Sequence, residues 1–316
     1  MKAIQITKFG GPEVMQLTEL PDPIAGAGEE ILDVTAIGIN YADTHQTEDS
    51  YLAKQTLPLI PGIEVVGTTT SGKRVLSFVG QGGYASKVSV ASATLIPIPD
   101  GVSDGAALAM AVQGTTAFHI IKTVGHLKKG ESVVVHAGAG GVGSIAIQLA
   151  KFWGAFVIAV TSSDEKKKLC IELGADAVVD AKVEDLKGAL IAANNGKPVD
   201  LILEMVGGKT FDQSLEALAP FGRIVFYGMA SRQAPQLVHP GSLMHGSRTI
   251  SGFWLMNCFG KKELLVDVLI ELFGLIVGGK LKPHVGGTYP LSAAADAHRS
   301  MLSRATTGKI VLDPKR

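Results

Sequence analysis

The stretch VVVHAGAGGVGSIAIQLAK, residues 133–151, decides the fold. Its valines read as a strand, and its last ten residues place apolar side chains at helical spacing. Between them Gly138, Ala139, Gly140, Gly141, Val142 and Gly143 spell G-x-G-x-x-G. A strand, this loop and a helix within one βαβ unit form the context in which the motif cradles a dinucleotide. The expected division of labour gives Gly138 the tight turn, Gly140 the approach of main chain to pyrophosphate, and Gly143 the close packing of helix on strand. The helix start then offers N–H groups and a partial positive charge to phosphate. The rival reading is a plain strand-to-helix connection.

Working outward, FVIAVTS, DAVVD, VDLILEMVG and GRIVFYG read as strands separated by helical segments from about residue 111. That rhythm predicts an α/β domain, a doubly wound parallel Rossmann sheet with right-handed crossovers. RIVFYG is expected at its edge. Residues 1–110 are different. KAIQIT, EILDVTAIGI, GTTTSGKRVLSF and YASKVSV are short alternating pieces punctuated by Gly and Pro, which suits a small antiparallel barrel or sandwich. The closing pieces GGTYPL and GKIVLDP resemble this first region, so the chain is expected to return and finish it. The expected domains are 1–112 with 253–316, and 113–252.

Composition narrows the function classes. Of 316 residues, 46% are hydrophobic, and 29 Lys and Arg balance 29 Asp and Glu. A neutral chain gives no electrostatic reason to expect nucleic acid or an anionic membrane as partner. The most apolar segment, LLVDVLIELFGLIV, carries Asp267 and Glu271 four apart, which marks an amphipathic helix rather than a membrane span. The opening MKAIQITKFGG has no apolar signal region and no small-residue cleavage site, so a cytoplasmic location is expected, or translocation by a signal already removed. Two cysteines, Cys170 and Cys258, are too few for a disulfide framework or a four-cysteine metal site.

The second strand of the βαβ unit ends AVTSSDEKKK. An NAD site places an acid here for the ribose 2′-hydroxyl. Thr161, Ser162 and Ser163 stand there instead, followed by Lys166, Lys167 and Lys168. Hydroxyls and an ammonium favour the 2′-phosphate of NADPH, each charge-assisted contact contributing about 1.5–3 kcal/mol. Lys166 is the expected partner, Lys167 and Lys168 a solvated helix face. Asp164 and Glu165 suit the helix N-terminus.

The ordered set GINYAD, PGIEVVG, HAGAGGVG and GKIVL resembles the medium-chain dehydrogenase/reductase superfamily over essentially the whole chain. Within it the chain is most similar to the zinc-independent quinone oxidoreductases, the zeta-crystallin-like branch. The resemblance implies a GroES-like β-barrel domain, completed by the C-terminal segment, beside the Rossmann domain. Zinc enzymes of the superfamily have a Cys ligand where Asn40 stands, a His where Ile63 stands, and a lobe of four cysteines that is missing here. Glu64 is left as a ligand or a structural carboxylate. No metal is therefore expected, and the chemistry left is hydride transfer to an electron-poor quinone or α,β-unsaturated carbonyl.

The resemblance places Asn40 and Tyr51 beside the nicotinamide, Asn40 as an N–H donor and Tyr51 as a phenol and stacking face. Their alternative roles are a turn-former and a surface aromatic. Asp43 is expected to orient backbone, and His45 stands where many relatives carry Tyr. Cofactor contacts carried over are Thr116 near the carboxamide, Gly228 at a strand end, and Phe253, Trp254 and Leu255 of GFWL, with Trp254 open to a core role instead. Where relatives place Tyr or His to help the 2′-phosphate, this chain has Asp180 or Ala181, leaving Lys166 with less help. Two other readings stay open: a 2-enoyl thioester reductase, and a non-catalytic NADPH-binding protein. Relatives commonly form homodimers.

Overall fold

In the computed structural model, which describes residues 1–50 and 52–316, the chain divides into two compact units, Met1–Gln113 with Leu269–Arg316, and Gly114–Val268. In the first, β1 (Lys2–Gln5) pairs antiparallel with β2 (Gln16–Glu19). Then come β3 (Glu29–Ile39), α1 (Tyr41–Thr47), β4 (Glu64–Thr68), β5 (Arg74–Phe78), β6 (Lys87–Ala91) and β7 (Ile96–Pro97). β3 is long enough to take β4 along one edge and β6 along the start of the other. The piece 67–78 is a hairpin rather than one strand, because Gly72 takes φ +81° in the turn between β4 and β5.

Helix α2 (Asp104–Leu108) continues through a π-helical stretch, residues 109–114, into α3 (Thr115–Phe118). The second unit then alternates: β8 (Ser132–Val135), α4 (Gly141–Phe152), β9 (Phe156–Thr161), α5 (Asp164–Glu172), β10 (Ala177–Asp180), α6 (Leu186–Ala193), β11 (Val199–Glu204), α7 (Gly208–Glu216), β12 (Leu218–Phe226), α8 (Pro240–Met244) and β13 (Thr249–Gly252). The six strands are all parallel, in the order β10-β9-β8-β11-β12-β13. This is the doubly wound arrangement, and its strand order reverses between β8 and β11. Helices on both faces explain why β8 and β9 read as unbroken apolar runs without alternation. RIVFYG, expected at the edge, lies in β12 and is interior: the later strand β13 pairs beyond it and takes the edge.

The chain returns through α9 (Lys262–Val277), β14 (Val285–Pro290), α10 (Ala294–Leu302) and β15 (Lys309–Asp313). Leu265, Val268, Leu269, Leu272 and Phe273 of α9 are buried while Asp267 and Glu271 face solvent, as the helical spacing predicts. β15 pairs antiparallel with the end of β3 and parallel with β14, so the C-terminal segment completes the first sheet. Its Ile310 and Leu312 join Ile37, Ile39 and Val65 in one core. The expected cut at 252/253 falls inside the second unit, since Phe253 stacks on His119 and the Leu264 carbonyl takes a His119 N–H.

Candidate functional site

In the second unit the glycine loop follows β8 at the reversal of strand order. The left-handed residue of its tight turn is Ala137, with φ +49°, and not Gly138. Gly138 serves close approach instead. Its N–H donates to the Val160 carbonyl at 3.0 Å, and a Cβ there would come 2.9 Å from Ala159 Cβ and 3.1 Å from Cys170 Sγ. Gly143 packs against the same turn, where a Cβ would come 2.8 Å from Gly138 Cα. α4 begins at Gly141, followed by Val142 and Gly143, and its cap residue Gly140 offers no side chain to the first N–H groups. Those donors suit an anion, and the bare backbone of Gly140 leaves room for a pyrophosphate.

At the end of β9, Thr161 is buried while Ser162 and Ser163 are half-buried. Ser163 Oγ accepts from Lys166 N at 3.4 Å and caps α5, which puts Asp164 and Glu165 in its first turn. Lys166 is half-buried on that turn. Lys167 is not a solvated face residue: its Nζ lies 3.1 Å from both Asp164 Oδ1 and Asp180 Oδ2. Asp180 ends β10 directly beside Thr161, so an acid reaches this strand end from the neighbouring strand. The Lys182 N–H and then the Lys167 ammonium hold its carboxyl below the usual range.

Of the other expected cofactor residues, Gly228, Phe253, Trp254 and Leu255 lie at strand ends of this unit and Thr116 lies on α3. Ala230 N donates to Met205 O at 2.8 Å, which ties the loop after β12, holding Gly228, to the loop after β11. Glu204 shapes the latter by accepting the Val206 N–H at 2.7 Å and the Gly207 N–H, and burial pushes its carboxyl up to about 7. Phe253 N donates to Phe226 O at 2.9 Å, which brings Phe253, Trp254 and the buried Leu255 past the end of β12. Thr116 is buried on α3, one turn from His119. The His119 ring stacks on Phe253 with centroids 5.5 Å apart. Its Nε2 lies 2.6 Å from the Leu264 carbonyl, which can only accept, so Nε2 carries the proton and Nδ1 accepts from Thr123.

In the first unit a buried polar cluster surrounds Asn40, while Tyr51 lies outside the described residues. Asn40 follows β3 as the cap residue of α1, and its backbone N–H donates to Asp43 Oδ2 at 2.9 Å across the start of that helix. Asn40 Nδ2 donates to Glu64 Oε1 at 2.8 Å, and Asn40 Oδ1 accepts from Gln113 Nε2 and Lys309 Nζ, each at 3.2 Å. Glu64 Oε2 accepts the Val112 N–H at 2.8 Å. Lys309 Nζ also pairs with Glu64 Oε1, and both side chains are fully buried. The carboxylate left over from a metal set therefore has a lysine ammonium as its counter-charge. Among the described residues, no three of His, Cys, Asp and Glu gather as a metal site.

Tyr84 OH donates to Asp43 Oδ2 at 2.8 Å and lies 2.9 Å from His298 Nε2, all three buried. With its proton on Asp43, the phenol oxygen accepts from His298, which makes His298 the Nε2–H tautomer. Burial pushes Asp43 up to about 7 and His298 down to about 4. Asp43 thus fixes the entry to α1, behind Asn40.

Sequence reasoning passed over Lys309, Gln113, Glu204 and His119. Lys309 had a signal: a lysine opening the apolar strand KIVLD, where a solvated side chain has no place. The others sit in stretches whose pattern is apolar or turn-like, and nothing there marks a partner distant in sequence.

Comparison with known proteins agrees with this geometry. Residues 26–100 match the alcohol dehydrogenase GroES-like domain, and residues 141–271 match the zinc-binding dehydrogenase family. A quinone oxidoreductase of Pseudomonas aeruginosa is 32% identical, with 99% of each chain covered. The Escherichia coli quinone oxidoreductase complexed with NADPH superposes with a TM-score of 0.92 at 31% identity, over 99% of this chain and 100% of that one. The quinone oxidoreductase of Thermus thermophilus, also solved with NADPH, gives 0.87 at 37% identity, over 99% and 100%.

Proposed function

Because the chain belongs to the zinc-independent quinone oxidoreductase branch of the medium-chain dehydrogenase/reductase superfamily, we propose that it is an NADPH-dependent reductase of quinones or α,β-unsaturated carbonyls that works without metal. The observation that carries the reading is the uncapped glycine start of α4 at the strand-order reversal of the doubly wound sheet. When bound, NADPH supplies a hydride from its nicotinamide ring. The loop from Gly138 to Gly143, with Gly140, Gly141 and Val142, holds the pyrophosphate. Ser162, Ser163 and Lys166 receive the 2′-phosphate. Thr116, Gly228, Phe253, Trp254 and Leu255 receive the nicotinamide end. Asn40, with Tyr51, supplies a hydrogen bond to the oxygen on which charge develops, and water completes protonation.

Metal independence is supported by the ammonium of Lys309 on Glu64, which neutralises the carboxylate a cation would need. An electron-poor acceptor suits that arrangement, since its developing charge is delocalised and needs a donor rather than a Lewis acid. A cytoplasmic homodimer joined along β13 is part of the same proposal, and no helix among the described residues is long and apolar enough to cross a membrane.

The test is NADPH oxidation with 1,4-benzoquinone, 9,10-phenanthrenequinone, an enone and a crotonyl thioester. Turnover of a quinone or the enone, undiminished by chelator, is expected. Turnover of the thioester alone identifies the enoyl reductase instead. NADPH binding without oxidation by any acceptor identifies a non-catalytic protein, and loss on chelation restored by zinc refutes metal independence.

A further inference from the structure

Lys309 is the least economical residue of the first unit. A fully buried ammonium is costly to desolvate, and an apolar residue of similar size usually serves stability as well or better. Its contacts indicate what it does. Antiparallel pairing sets Ile310 opposite Ile39, which brings Lys309 level with Asn40 at the end of β3. Three acceptors converge on Nζ: the Ile39 carbonyl at 3.1 Å, Asn40 Oδ1 at 3.2 Å and Glu64 Oε1. Three is the full donor capacity of an ammonium.

We propose that Lys309 is a positioning residue, which locks the Asn40 amide so that one Nδ2 proton is held by Glu64 and the other stays directed for the substrate oxygen. The lock follows from the donor and acceptor inventory. Asn40 Oδ1 has two lone pairs, and Lys309 and Gln113 each donate to it. Nδ2 gives one proton to Glu64 Oε1. A flipped amide would set its NH2 against two donors and its oxygen against a carboxylate, so every contact turns repulsive. The second Nδ2 proton is used by none of these contacts and has one direction to point. Glu64 is held in turn by the Val112 N–H at 2.8 Å, which stops the carboxylate from following a rotating amide. The inference rests on the reading above in which Asn40 meets the substrate.

The experiment uses the full chain in three variants: Glu64→Leu with Lys309→Met, Asn40→Ala, and all three substitutions together. Removing both charges avoids the uncompensated carboxylate that Lys309→Met alone would bury, so the pair variant folds. NADPH binding by calorimetry counts intact protein, and is expected to stay within about threefold of the parent. For the best quinone acceptor, the pair variant is expected to lose about a hundredfold in kcat, as when one oxyanion donor is removed. Asn40→Ala is expected to lose about the same, and the triple variant to fall no more than about threefold below Asn40→Ala. Without substrate, the side-chain amide protons of 15N-labelled Asn40 are expected to exchange slowly in the parent and quickly in the pair variant. Retained kcat in the pair variant, losses that multiply in the triple variant, or unchanged amide exchange would each overturn the proposal. A parent that reduces no acceptor refutes the function reading instead, and amide exchange then still decides whether Lys309 holds Asn40.

Discussion

Replacing Gly143 by alanine places a Cβ 2.8 Å from Gly138 Cα and 3.0 Å from the Ala137 carbonyl carbon, with the Ala137 oxygen closer still. All are backbone atoms of the turn between β8 and α4, so no rotamer change relieves them. Restoring ordinary contact moves the turn about 1 Å from the helix start, because close-packed interiors have little slack. A displacement of that size in a positioning element costs on the order of a hundredfold, or about 2.7 kcal/mol of binding. The strain also lowers folding stability by about 1–3 kcal/mol. Titration of the apo protein with NADPH by calorimetry reads the first effect, and thermal unfolding the second. Gly274→Ala is the control: a Cβ there meets nothing within 4 Å, in the last turn of α9. It should leave NADPH affinity unchanged and stabilise by up to about 1 kcal/mol through helix propensity. An NADPH affinity for Gly143→Ala within threefold of the parent would refute the argument from close approach.

Lys166→Ala should weaken NADPH more than NADH in the same titration, and equal weakening would show that Lys166 does not touch the 2′-phosphate. Asp180→Asn removes a carboxylate beside Thr161 and leaves Lys167 with one of its two carboxylate partners, so preference for NADPH over NADH should rise by roughly threefold; a fall would place the phosphate elsewhere. Burial holds His136 near pKa 4 against an ordinary 6.5, so it stays neutral in the fold, and its contribution is lost as pH falls from 6.5 through 4. The stability of His136→Asn relative to the parent should therefore rise over that window by on the order of 3 kcal/mol, read as Tm against pH. Glu204 has the opposite sign. Raised to about 7 from 4.5, its contribution is present below 4.5 and lost as pH rises through 7, so Glu204→Gln should gain on the parent between those limits. A pH-independent difference for either variant would refute the assigned protonation states.

The doubly wound sheet was legible because its signals are local. The G-x-G-x-x-G loop, the apolar runs of β8 and β9, and the acids Asp164 and Glu165 at the start of α5 each lie within a dozen residues of the element they specify. The return of β14 and β15 was legible as a likeness to the first region and as what the family resemblance implies. The polar cluster around Asn40 was not legible, because its members come from four places along the chain: the end of β3, the start of β4, the π-helical stretch after α2 with Val112 and Gln113, and β15. The family resemblance points to Asn40 and its residue type supplies a donor, but neither shows that its oxygen already has two donors. The turn at Ala137 was missed for another reason. Left-handed backbone is assigned to glycine by default, and three glycines nearby were needed for contact rather than for conformation.

Glu64 and Lys309 are separated by 245 residues along the chain. At a synthesis rate of about 5–20 residues per second, the acid leaves the ribosome roughly 12 to 50 s before its counter-charge. The contiguous second unit, Gly114–Val268, emerges whole within that interval and can mature cotranslationally. The region made first is thus finished last. A nascent chain interrupted before β15 would expose an unsealed sheet edge with an unneutralised carboxylate behind it, a clear mark for chaperones and proteases.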